Sequence, residues 1–190
     1  MSRSLLLSLV ALTVALAPAC QYTPGRIATN PASLPHAIAP ELQAYPAGII
    51  PGLQLRRQAT SQDTVFMRVA ANITERNDWG EHDDESGSGF GGGFGWRRSL
   101  AGVPGGTGWL FGARVDLWSL EIDWRDPGPR EGTADVLVLQ PTAELGYGWT
   151  FASGSRLELA LGLGAEINVD TDGEDVGEGA IALLGLTYVP

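Results

Sequence analysis

From residue 155 to 169 the chain alternates between two kinds of side chain without a break. Leu157, Leu159, Leu161, Leu163, Ala165, Ile167 and Val169 fall on one side, and Arg156, Glu158, Ala160, Gly162, Gly164, Glu166 and Asn168 on the other. A two-residue period predicts a strand with one apolar face. The second face is the informative one. Glycine weakens a strand that faces water, whereas small residues interleaved with Arg and Glu suit the crowded polar interior of a narrow barrel whose leucines face lipid.

The same alternation predicts strands over 48–57, 63–74, 87–98, 107–125, 134–151, 155–169 and 178–189. Within 63–74, Val65, Met67, Val69, Ala71 and Ile73 oppose Phe66, Arg68, Ala70, Asn72 and Thr74. Within 87–98, Phe90, Phe94 and Trp96 oppose a row of glycines. Along 107–125 the apolar positions change phase, from Trp109, Phe111, Ala113, Val115 and Leu117 to Trp118, Leu120, Ile122 and Trp124. Such a slip predicts a β-bulge where the strand leaves the membrane. Seven strands is an odd number for a single-chain bacterial barrel, so an eighth is expected in 34–46 or around 117–125.

The connections differ in kind. Segments 75–86, 126–133 and 170–177 are long or acidic, and 58–62 and 152–154 are short, with 99–106 between. In an up-and-down barrel alternate connections emerge at the same end, so the acidic ones share an end. Ahead of the strands, residues 1–19 read as an export signal: Arg3, an apolar run from Leu5 to Ala17, and small residues at Ala17 and Ala19. Cys20 follows directly and is the only cysteine, so it is a candidate for lipidation or a free thiol, and no intrachain disulfide forms. Residues 20–46 hold prolines at 24, 31, 35, 40 and 46 and read as a tether, leaving 47–190 as the barrel domain.

The net charge of −10 argues against nucleic acid as a partner. All twelve basic residues are Arg, the side chain suited to bidentate pairing with carboxylates. The polar strand faces collect Arg56, Arg68, Arg97, Arg114 and Arg156 with Asp116, Glu144, Glu158 and Glu166, which predicts an interior charge network. Trp96, Trp109, Trp149, Phe151 and Tyr188 lie near the ends of apolar faces, as an interfacial girdle requires.

With segments such as Pro141-Thr142-Ala143-Glu144-Leu145-Gly146-Tyr147-Gly148-Trp149, the region from about residue 46 to 190 resembles the small, eight-stranded outer-membrane β-barrel proteins of Gram-negative bacteria. Gly185 and Tyr188 match part of the C-terminal signal that the assembly machinery reads in that class. The resemblance implies an all-β antiparallel transmembrane barrel in the outer membrane, with outer-membrane lipids as surroundings, no cofactor, and a structural or interaction role. Two other readings stay open: a secreted or lipid-anchored soluble barrel that binds a small apolar ligand, and a narrow pore.

Catalytic chemistry has little to work with. The only histidines are His36, in the tether, and His82, in an acidic Gly/Ser-rich loop beside Ser86 and Ser88, which reads as a solvated loop rather than a triad. Asp170, Asp172 and Asp175, with Gly173 to turn the chain, are a candidate calcium turn, although the spacing departs from an EF-hand. Acidic loops at one end would also attract divalent or organic cations.

Overall fold

The computed structural model describes residues 36–77, 81–101 and 106–190, so the leader, Cys20 and most of the tether lie outside the described residues. Eight strands follow one another: β1 (His36–Tyr45), β2 (Gly48–Gln58), β3 (Asp63–Asn77), β4 (Asp84–Ser99), β5 (Gly108–Arg125), β6 (Glu131–Thr150), β7 (Arg156–Asp172) and β8 (Gly179–Val189). Each pairs antiparallel with its sequence neighbours, and β1 with β8, closing a barrel.

The eighth strand is β1, inside the segment read as a tether. Its prolines disguise it. Pro40 has no N–H to donate, yet it is tolerated because β1 pairs with β8 only from Glu41 to Ala44, leaving Pro40 paired with β2 alone. The ends of the strands joined by the β1–β2, β3–β4, β5–β6 and β7–β8 connections lie at one end of the barrel, here the loop end. The strand ends joined by the β2–β3, β4–β5 and β6–β7 connections lie at the other, the terminal end, with the start of β1 and the end of β8. The acidic connections do share an end, but the strands run further into them than the periodicity suggests.

The expected bulge in β5 is absent. From Trp109 to Arg125, exposed and buried residues alternate without a slip, and β5 stays in register with β4 and β6 throughout. What changes is the chemistry of the two faces. Up to Leu117 the outward residues are apolar and the inward ones are Leu110, Gly112, Arg114 and Asp116; beyond it Ser119, Glu121, Asp123 and Arg125 point out while Trp118, Leu120, Ile122 and Trp124 point in. The barrel therefore reverses polarity along its axis. Its loop-end third is filled by Trp118, Leu120, Ile122, Trp124, Ala134, Val136, Val138, Val176, Ile181 and Leu183, like the core of a water-soluble sheet. A bulge does occur, in the β6–β7 pair at Leu137/Val138, where Val169 is the extra residue and Asp170 takes the outward place opposite Leu137.

Interior glycines follow from the same packing. A Cβ on Gly91 would strike the Trp118 ring, one on Gly95 the Phe66 ring, and one on Gly148 the Arg156 guanidinium. Large inward side chains of one strand thus occupy the space left by glycines of the next.

Candidate functional site

Eight of the nine charged residues expected inside form one buried network in the terminal-end half. Glu158 on β7 takes a bidentate pair from Arg56 on β2 (2.8 and 3.0 Å), with Arg97 at 2.9 Å and Arg156 at 2.8 Å. Glu144 on β6 is held by Arg97 at 2.7 Å and Arg114 at 2.6 Å. Asp116 accepts from Arg114 at 2.8 Å and from Arg68 at 3.3 Å. Burying such charges is costly unless each finds a counter-ion, which this arrangement supplies across six strands, β2 to β7.

Sequence reasoning missed two members of the network. Glu41 lies 3.3 Å from Arg68, and Gln43 donates to Glu41 at 2.8 Å while accepting from Arg114 at 2.9 Å and Arg68 at 3.1 Å. Both sit on β1. Their signal was the alternation Ala39, Glu41, Gln43 facing Leu42 and Ala44, overlooked between prolines.

Glu166, the ninth residue, belongs to a second cluster on the loop-end side. It pairs at 2.6 Å with Arg76 on β3, which also reaches Glu85 at 3.1 Å and the Gly177 carbonyl at 2.6 Å. Glu85 accepts in turn from the backbone N–H groups of Glu81, His82 and Gly177. Arg76 and Glu85 were assigned to a loop because the alternation of β3 and β4 loses its apolar outward residues there. Gln140 joins this cluster to the apolar core, donating to Glu166 at 3.4 Å and accepting from the Trp118 indole at 3.0 Å. Together the two clusters place six inward Arg against six carboxylates, so the interior is electrically balanced.

The loop around His82 has a defined geometry, contrary to expectation. His82 is buried and stacked on Trp124, with 4.1 Å between ring centroids and planes 15° apart. Its Nδ1 lies 2.9 Å from Asp126, and its Nε2 lies 3.0 Å from the Asp175 carbonyl. The ring therefore clasps three loop-end turns. Both nitrogens already face acceptors, and Ser86 and Ser88 are exposed on the outer side of β4, so neither serine meets this ring.

The calcium turn is not assembled. Asp170 and Asp172 lie exposed on β7 and Asp175 lies in the following turn. Among the described residues no three acidic, His or Cys side chains are placed to hold a metal ion. At the terminal end, Asp63 binds Arg98 through two 2.8 Å contacts and accepts from Trp96 at 3.0 Å and Thr60 at 2.6 Å. The Arg98 hydrogen bonds, aided by Thr60 and Trp96, hold its carboxyl well below the usual carboxylate range.

These features define a class: a small eight-stranded antiparallel barrel, apolar outside and ion-paired inside, with the fold of the outer-membrane barrel proteins. Among solved structures, Neisserial surface protein A (NspA) is similar to this chain with a TM-score of 0.52 and 10% identity, over 81% of this chain and 93% of that one. The N-terminal β-barrel domain of Pseudomonas aeruginosa OprF is similar with a TM-score of 0.47 and 13% identity, over 82% and 96%. At these identities the likeness is one of fold. No protein-family model matches the chain, and neither does any curated protein.

Proposed function

We propose that the chain is a non-enzymatic barrel of the bacterial outer membrane, closed to ions and acting through its acidic loop end. The observation that carries this reading is the pairing of an apolar outer belt with an electrically balanced, ion-paired interior. Leu42, Met67, Phe94, Val115, Leu145, Leu161 and Leu184, from seven different strands, are all exposed on the outside. In water such a belt would be a large sticky patch. On β5 it runs from Trp109 to Leu117, and a tilted strand needs about 9–11 residues to cross a bilayer. Near the terminal end Trp96 packs edge-on against Phe111, and Tyr147 touches both Trp109 and Trp149, two aromatic groups suited to a membrane–water boundary.

In this reading the leader over residues 1–19 exports the chain, the terminal end faces the periplasm and the loop end faces outward. The polarity-reversed third then stands above the bilayer, where a polar exterior and an apolar core are what water requires. The acidic turns meet the outer leaflet and its counter-ions. The soluble alternative would need an apolar cavity inside, but the interior half within the belt is filled by guanidinium–carboxylate pairs. Membrane fractionation tests the placement: the protein is expected to resist carbonate extraction and to need detergent, and release into carbonate would refute it. Planar-bilayer recording tests closure, with silence expected and discrete salt-dependent current steps counting against it.

A further inference from the structure

We propose that the notch between β8 and the β1–β2 hairpin docks a short, extended, basic polypeptide segment, which adds to the free edge of β8 as a strand. This goes beyond the membrane reading and rests on the barrel seam. β8 pairs with β7 along its whole length, Gly179 to Val189. With β1 it pairs only from Leu184 to Thr187, because β1 stops at Tyr45 and the chain turns back at once into β2. Residues 179–183 therefore have a strand on one side and, among the described residues, none on the other.

This free edge opens onto a cleft of about 730 Å³ bounded by the hairpin, the end of β3, and the turn between β7 and β8. Tyr45, Ala47, Val176 and Ile181 give it apolar walls, while Glu81, Glu166, Asp175 and Glu178 give it carboxylates. Among the described residues the one Arg that lines it, Arg76, is engaged by Glu85, Glu166 and the Gly177 carbonyl. Glu81 and Asp175 are exposed, and among the described residues neither carboxylate is engaged in an ion pair.

The three features select one kind of occupant. Unpaired N–H and C=O groups on a sheet edge bind another backbone, and alternate side chains of the added strand supply specificity. Every second side chain would enter the acidic cleft, favouring Arg or Lys; those between would lie beside Ala180 and Ala182 on the apolar outer face. The expected segment therefore alternates basic and apolar residues. A second copy of this chain offers an acidic loop end of its own, so the partner is a different chain.

The test uses the full chain folded in neutral maltoside micelles and a fluorescein-labelled, amidated hexapeptide alternating Arg and Val. Fluorescence anisotropy is expected to show saturable binding, weakened about tenfold in the Glu81→Gln, Asp175→Asn double variant. Folding of the variant is checked by its heat-shifted gel mobility. Two N-methylated peptides, each blocking alternate amides, separate strand addition from charge attraction: one is expected to lose binding and the other to keep it. The proposal is overturned by absence of saturable binding, by an undiminished affinity of the folded double variant, or by equal binding of both methylated peptides. It is equally overturned if a long-chain alkylamine displaces the peptide from parent and double variant alike, which would mark the cleft as an amphiphile site.

Discussion

Glu158 shows what one interior side chain controls. Its two carboxylate oxygens receive three guanidinium groups, from β2, β4 and β7. Replacing it with Gln leaves buried Arg charge without a counter-ion, for which about 3–5 kcal/mol is typical; the midpoint of urea unfolding in lipid vesicles is expected to fall accordingly. Glycines make a sharper comparison. Gly91→Ala drives a methyl group into Trp118 and is expected to cost about 1–3 kcal/mol. Gly185→Ala meets nothing closer than 3.6 Å and is expected to be tolerated. Equal midpoints for the two would contradict the interior packing. Apart from Glu41 on β1, the inward Arg and Glu of this half were legible because each sits beside a Leu, Val or aromatic residue in the alternation. Arg76 and Glu85 were not, because beyond Ile73 and Phe90 the outward partners become Glu75, Ser86 and Ser88 and the contrast between faces disappears.

Among the elements, the tight turn between β2 and β3 depends on Asp63. Thr60 and Asp63 hydrogen-bond each other, and Arg98 and Trp96 fasten the carboxylate to β4. Because its folded pKa lies below the ordinary value of about 4, Asp63 stabilises the fold above that pH, and the contribution is lost as pH falls through the folded value. The Asp63→Asn variant is expected to unfold more readily than the parent at pH 6, and the gap should narrow as the pH falls toward 3. A gap of constant size would show that the carboxylate charge is not what holds the turn. Strand identity was legible wherever a face stayed apolar over several residues, as in β3, β6 and β7. In β1 proline obscured the alternation, so the odd strand count rather than the pattern pointed to 34–46. In β5 the strand itself was legible, but an exchange of environments at Leu117 and Trp118 imitated a bulge. Periodicity records which residues share a face, and only the surroundings decide which face is apolar.

For the whole molecule, the membrane reading makes Leu161 a midplane residue on the lipid face. Arg there costs about 2–4 kcal/mol in a bilayer, so Leu161→Arg is expected to block insertion into vesicles while Leu161→Ala inserts normally, as read by heat-shifted gel mobility. Equal insertion by both would place this face elsewhere. The ion pairs also govern how the barrel can form. Arg56 and Glu158 are 102 residues apart, Arg97 and Glu158 61, and Arg114 and Gln43 71. None of these partners belongs to a single hairpin. A lone β3–β4 hairpin entering lipid would carry Arg68 and Arg97 without the β5, β6 and β7 carboxylates that pair with them, and would have unpaired edges, both strongly disfavoured there. Such long separations also delay the favourable contacts until late in the reaction. Intermediates with some strands inserted and others waiting are thus too high in energy to accumulate. Crossing the bilayer and sealing the β1–β8 seam become one kinetic event, with a single rate observed from either process.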